Sequence, residues 1–397
     1  MAHVALLNRI TVSKKDIPLI CWGVYVFSFP IYLFGSGGLQ ISSFFLVICL
    51  AATFLIDVKP GLYAQYRIVI LSLISFVALV FTVNLISYYI YHSFAFLFFC
   101  LFYLYNMTVF VLGLYLYHIH GVRFLKATIY GAMASYVGCV MLSPLAPAVK
   151  PGIDPLNGEA YRQVFFFNNA NQFGEFSMLV AMCILVGMAY GWVRKLFGQI
   201  AIGIITVLSL LTLSRASVAG MGVLFFFALP WRYVAILGSV ALAIFLMFSQ
   251  QIKVITDLEQ RFELVTTQNN IDQRQINRLF NYPAYNILGS GEAPALNGMR
   301  FGSVHEISCT ILSMLFCYGI TGVILFIVFL YQIFAELYWK FVLYFGPLFL
   351  FESVENGVRF TLTWIVLVLF LGVTQWQVSR RTKGPNHQLG LPARSLT

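Results

Sequence analysis

Charge is scarce in this sequence: Asp, Glu, Lys and Arg make up 10% of its 397 residues, while 60% are hydrophobic. A soluble domain carries roughly 25% charged residues, so an aqueous globular fold is excluded. Cysteine is absent from the polar stretches. All seven (Cys21, Cys49, Cys100, Cys139, Cys183, Cys309 and Cys317) fall inside apolar runs. That excludes a disulfide framework and metal-ligand spacing and leaves the thiols as small buried hydrophobes. No small-x-small cleavage site follows the basic start (Arg9, Lys14, Lys15) and the apolar segment 17–34, so this segment is expected to stay as a first span. An internal repeat, common among twelve-span transporters, is also missing.

What is there is a succession of apolar runs. A span takes about 20 apolar residues, which predicts an all-α polytopic membrane protein of about twelve helices. They lie near 17–34, 40–56, 68–91, 94–117, 125–145, 169–190, 196–213, 217–230, 234–249, 308–335, 341–352 and 357–377. The chain thus divides into a first helical block (1–249), one long extramembrane segment (250–307), a second helical block (308–377) and a tail (378–397). The segment 250–307 splits into a charged, amphipathic first half and a Gly/Pro/Asn-rich second half. With the N-terminus inside, fifteen of the 24 Lys and Arg fall on the cytoplasmic side, against Asp16, Asp57 and Glu336 among the 14 acids. This is the positive-inside pattern. It puts both termini in the cytoplasm and the segment 250–307 outside. The net charge of +10 is therefore divided by topology and is no nucleic-acid signal.

Polar groups at membrane depth cost at least about 2.5–3.5 kcal/mol per charge, so three stretches stand out. In YRQVFFFNNANQFGEF, Arg162 precedes Asn168, Asn169, Asn171, Gln172 and Glu175. Helical spacing puts Asn168, Asn171 or Gln172, and Glu175 on one stripe. The stripe faces a water-filled cavity or other protein, or else the Asn side chains cap the helix end. In LLTLSRASVAG, Arg215 sits at an outer corner, where a guanidinium either holds phosphate oxygens or reaches to lipid headgroups. In GSVHEISC, His305 and Glu306 stand at the start of an apolar helix. Imidazole is suited to act as a general base, although a histidine at a helix start is also an ordinary surface residue.

Taken in order, these stretches resemble the O-antigen ligase and polysaccharide polymerase superfamily of bacterial envelope enzymes. Arg162 followed by Asn169-Ala170-Asn171 is similar to the family's Arg and Asn-Pro-Asn, with Ala in place of Pro. The stretch from Leu211 to Ala216 is similar to its Ser-Arg corner. Arg274 or Arg278, Pro283 and Gly289-Ser290-Gly291-Glu292 are similar to its long-loop pattern, and a histidine before Gly319-Ile320-Thr321-Gly322 completes the order. The family's histidine aligns with Ser308 here; His305 lies three residues earlier, on the same face if the helix reaches that far.

The resemblance implies a metal- and cofactor-free, inverting glycosyltransferase in the bacterial inner membrane, working on its periplasmic face. The donor would be an undecaprenyl-diphosphate-linked oligosaccharide and the acceptor another glycan. Arg215, with Arg162 and Arg274 or Arg278, would steady the departing diphosphate. His305, supported by Glu306, would take the acceptor's proton. Asn169, Asn171 and Glu175 would bind sugar hydroxyls or orient an arginine. The stretch around Tyr282-Pro283 looks more like the polymerase branch, with a chain-length regulator as a possible partner. The alternatives are a ligase transferring the glycan to lipid A–core and, outside the enzymes, a lipid-linked oligosaccharide flippase or other transporter.

Overall fold

In hydrocarbon every backbone N–H and C=O must be paired within the chain, which leaves helices as the economical way to bury apolar runs. The computed structural model describes residues 13–32, 40–55, 61–145, 165–233 and 274–382, apart from single positions at 168, 213, 231, 304, 336, 338, 354, 356 and 358. Among the described residues there are helices and no strands. They are α1 (Ile17–Ser28), α2 (Ile41–Phe54), α3 (Gly61–Tyr91), α4 (Ala95–His120), α5 (Val122–Met141), α6 (Ala170–Ala189), α7 (Lys195–Leu210) and α8 (Arg215–Ala228). Three short pieces follow, α9 (Arg278–Asn281), α10 (Tyr285–Leu288) and α11 (Asn297–Phe301). The chain then continues as α12 (Thr310–Phe334), α13 (Trp339–Glu352) and α14 (Thr361–Thr382).

Six of these helices are long and apolar enough to cross a membrane: α4, α5, α6, α12, the Tyr66–Tyr91 part of α3 and the Thr361–Ser379 part of α14. The chain is a multi-pass membrane protein. Eleven of the twelve expected spans fall on helices, and the near-continuous apolar block 68–117 divides at residues 92–94, where His92 takes a left-handed backbone (φ 50°). The expected span 234–249 and residues 250–273, most of the amphipathic half of the 250–307 segment, lie outside the described residues.

Burial distinguishes the middle of the bundle from its rim. In α6 and α14, 83% and 78% of the membrane-length window is buried, against 39–44% in the other four spans. Both central helices must therefore carry side chains that suit protein rather than lipid all round. Small residues let them pack closely. A methyl group at Gly174 of α6 would strike Ser217 Oγ of α8 at 1.9 Å, and one at Gly372 of α14 would meet Leu125 and Tyr117 at 2.9–3.0 Å.

α12 is not a straight rod. Gly319 adopts φ 69°, ψ −179° inside it, a conformation open to glycine and strained for other residues. The break frees carbonyl groups, and extended backbone takes them up: Ser290 N donates to Phe316 O (2.9 Å) and Gly291 N to Cys317 O (3.0 Å). The non-helical backbone is tolerated because these amides and carbonyls pair with one another inside the protein. The two glycine motifs of the sequence, 289–291 and 319–322, are thus in contact.

Candidate functional site

Polar groups gather at one end of the bundle. The N-terminal ends of α2, α4, α6 and α14, the residues after α1, the residues before α12 and the C-terminal end of α13 line a cavity of about 1080 Å³ there. Part of its lining is polar: Asn169, Asn171, Gln172 and Glu175 from α6 and its cap, His305, Glu306 and Ser308 from the segment before α12, Glu355 and Arg359 from the α13–α14 turn, and Gln40, Ser42 and Ser43 at the start of α2. Part is aromatic and aliphatic, with Phe29, Tyr32, Phe98, Phe102, Tyr105 and Phe360 among its residues.

The α6 stripe forms as helical spacing requires. Asn169 is the N-cap, its side chain accepting from Gln172 N at 2.9 Å, so it caps the helix and lines the cavity at once. One turn in, Asn171 Nδ2 donates to Glu355 Oε1 (2.8 Å), and Glu175, 3% exposed, accepts from Thr363 Oγ1 of α14 (3.2 Å). The α13–α14 turn closes against this stripe. Gly357 N donates to Glu352 Oε2 (3.0 Å), whose other hydrogen-bond donor is the Thr310 hydroxyl. Gly357 has no room for a side chain: a methyl there would sit 2.4 Å from Glu352 Oε1 and 2.6 Å from Glu175 Oε1. Asn168 and Arg162 lie outside the described residues.

The second polar cluster is built around Arg359. Its guanidinium pairs with both oxygens of Glu306 and, through Nη1, with Glu292 Oε1 at 3.2 Å. Glu292 is held from three helices: Tyr318 OH (2.5 Å) and Tyr103 OH (3.3 Å) donate to its carboxylate, and its own N–H donates to Asn84 Oδ1 (2.7 Å). Burial opposes the Arg359 charge, but Glu292 and Glu306 outweigh it and hold the guanidinium above its usual range. Burial likewise pushes the Glu292 carboxyl up, against the pull of Arg359. Asn106, buried in α4, fixes the turn itself, donating to Arg359 O (3.2 Å) and accepting from Thr361 Oγ1 (2.7 Å).

His305 lines the cavity five residues before α12 begins, so the continuous helix that would stack it over Ser308 is not present; Ser308 reaches the same cavity by its own path. Arg278 holds His305 in place. It is 3% exposed, and its Nη2 donates to Ser303 O and His305 O, both at 2.7 Å, with the guanidinium over the Phe301 ring. Burial pulls its basicity below the usual range. This guanidinium braces a backbone and does not line the large cavity. Arg274 approaches through its carbonyl, which accepts from Ser308 N (3.3 Å). Arg215 opens α8 after Ser214 and also stands off the cavity wall, at the same end of α6: Ser217, two residues on, packs against Gly174, beside Glu175.

Among the residues singled out in the sequence, the structure therefore brings Asn169, Asn171, Glu175, His305 and Glu306 to the lining of one cavity, while Arg215, Arg274 and Arg278 are not part of that lining. Sequence reasoning missed Arg359, Glu352 and Glu355. Their signal was the density of charge in ESVENGVR, between two apolar runs. Among the described residues, no group of three or more His, Cys, Asp or Glu is placed to hold a metal ion. No protein-family model matches the sequence, and no curated protein matches it significantly.

Proposed function

We propose that this chain is a glycosyltransferase of the bacterial inner membrane that polymerises lipid-linked repeat units on the periplasmic face. In this reading the chain crosses the membrane twelve times, with both termini in the cytoplasm and 250–307 as a periplasmic segment. The observation that carries it is a cavity at one end of an apolar bundle whose lining combines amides, carboxylates and an imidazole with aromatic rings. A glycan on a polyprenyl diphosphate has the same mixed character. Aromatic faces suit its sugar rings and its hydrocarbon chain, and Asn and Glu side chains suit its hydroxyls.

The step is a direct displacement. The acceptor hydroxyl oxygen attacks the anomeric carbon, and the bond from that carbon to the diphosphate oxygen breaks. Its electron pair leaves with undecaprenyl diphosphate, and the hydroxyl proton passes to His305. One displacement inverts the anomeric configuration. Negative charge grows on the departing diphosphate, so fixed guanidinium groups accelerate the step. Arg215, with Arg162 and Arg274, would act on it from beside the cavity lining, while Arg278 acts through the backbone it holds. The reaction draws its driving force from the sugar–diphosphate bond and uses no metal ion.

A ligase that passes the glycan to lipid A–core would use the same site. The deciding experiment is reconstitution with undecaprenyl-diphosphate-linked repeat units, with and without the lipid A–core acceptor. A product ladder without that acceptor supports the polymerase; product only with it identifies the ligase. A second reading, a flippase or other carrier, draws on one observation: among the described ionisable residues of the wall, Glu175, Glu306 and Glu355 outnumber Arg359. Movement of intact lipid-linked glycan across the vesicle membrane, with no new glycosidic bond, would establish that reading instead.

A further inference from the structure

The glycosyltransferase reading asks for a cation at the cavity wall, and among the described residues the one guanidinium that lines it is Arg359. It lies in a turn between two apolar runs, where nothing in its neighbourhood along the chain suggests a ligand. Its partners come from far away in sequence: Glu292 and Glu306, both in the segment before α12.

The two partners differ in how firmly they are held. Glu292 is 5% exposed, its carboxylate takes two tyrosine hydroxyls, and its amide is tied to Asn84. It cannot leave without abandoning several buried bonds, each of which would then be unsatisfied at a cost. The Glu306 side chain is 31% exposed and lines the cavity. Among the described residues, the hydrogen bonds of its carboxylate run to Arg359. One guanidinium therefore has a fixed anionic partner behind it and an exchangeable one in front.

Resting on the proposed function, we infer that Arg359 is a diphosphate-contacting residue whose place is held by Glu306 in the empty enzyme. Glu292 keeps the guanidinium at the wall and cancels its charge against the apolar interior. Glu306 occupies the side that faces the cavity. A polyprenyl diphosphate entering the cavity presents oxygens of the same geometry and higher charge, suited to the same two-point guanidinium contact. Repulsion between diphosphate and Glu306 then drives the carboxylate off. It swings free next to His305, the adjacent residue, and becomes available to the acceptor hydroxyl once the donor is seated. Glu306 is thus masked until there is something to transfer, a form of substrate-assembled site.

The test measures binding by the purified full chain in detergent, with geranylgeranyl diphosphate as the probe. Wild type binds. Arg359→Gln weakens binding about tenfold or more, the size expected of a lost charge-assisted contact, and Arg359→Lys restores part of it. Glu306→Gln binds more tightly than wild type, because it removes the competitor and keeps the arginine. A merely structural ion pair predicts the opposite sign for Glu306→Gln. Should Arg359→Gln fail to elute as a folded species, that sign decides on its own. If wild type binds and Arg359→Gln binds equally well, or if Glu306→Gln weakens binding, the inference is overturned and the glycosyltransferase reading stands. If wild type does not bind the prenyl diphosphate at all, both fall.

Discussion

Arg123 and Asp16 meet at 2.9 Å at one end of the bundle, with the arginine side chain 64% exposed. At the other end Arg359 is 21% exposed and holds two carboxylates at once. The first end is basic in its described charges, with Lys14, Lys15, Arg123, Lys126, Arg194 and Lys195 at the starts of their helices and few acids nearby. The second mixes arginines with Glu175, Glu292, Glu306, Glu352 and Glu355; Glu175 and Glu292 are buried, and Arg359 pairs with both Glu292 and Glu306. On the proposed topology, charge at the first end has an orienting role and need only stay in water. Charge at the second is desolvated, and a buried ionic network is weak evidence for stability by itself. Such a network at the wall of a cavity is better explained by what it does there.

Substitutions should separate the two ends by size of effect. The largest loss is expected for Arg215→Ala and His305→Ala. Each should lower product formation in the reconstituted reaction by about 10²-fold or more while the protein still inserts; normal chain length in either variant would remove that residue from the chemistry. Next comes Gly319→Ala, which places a side chain on a left-handed backbone and against Ile287 O at 2.2 Å. It should cost roughly 1–3 kcal/mol or more and speed hydrogen exchange at the Ser290 and Gly291 amides. Gly174→Ala should destabilise by about 1–3 kcal/mol through overpacking. Ser217→Gly in the same chain should recover most of that, since the obstructing atoms are the Ser217 side chain; failure of the rescue in a thermal melt would mean the α6–α8 contact is not what the substitution disturbs. Smallest is Arg123→Ala, at under about 1 kcal/mol with no change in rate. A large rate effect there would erase the functional difference between the ends.

Much of the fold was legible because a span announces itself in a single run of residues. Helices α4, α5, α6 and α12 coincide with apolar stretches, and the split before α4 follows the polar triplet at residues 91–93. The α6 stripe was legible for the same reason: Asn171 and Glu175 are one turn apart, and their common face is a local property. The Arg359 cluster was not, because its meaning depends on partners brought together from three separate segments. The turn ESVENGVR reads equally well as a solvated loop until Glu292 and Glu306 arrive beside it. Arg278 shows the converse. Its position in the long segment marked it as a ligand-facing cation, and only the fold reveals that Ser303 and His305 carbonyls occupy its guanidinium. The helix starts at Thr310, two residues after the expected start at 308 and short of His305; Cys309 before it is extended and Thr310 bonds Glu352, and neither feature has a sequence signal.

The seam between backbone 289–291 and the bent middle of α12 makes these two pieces mechanically a single part. Any force that lifts residues 289–291 away from the bundle must either unzip those amides or change the bend at Gly319. A chimera that exchanges the segment between related proteins would accordingly have to carry α12 with it. Conversely, a tilt of α12 would be delivered directly to Glu292, the next residue along, and through it to Arg359 at the cavity.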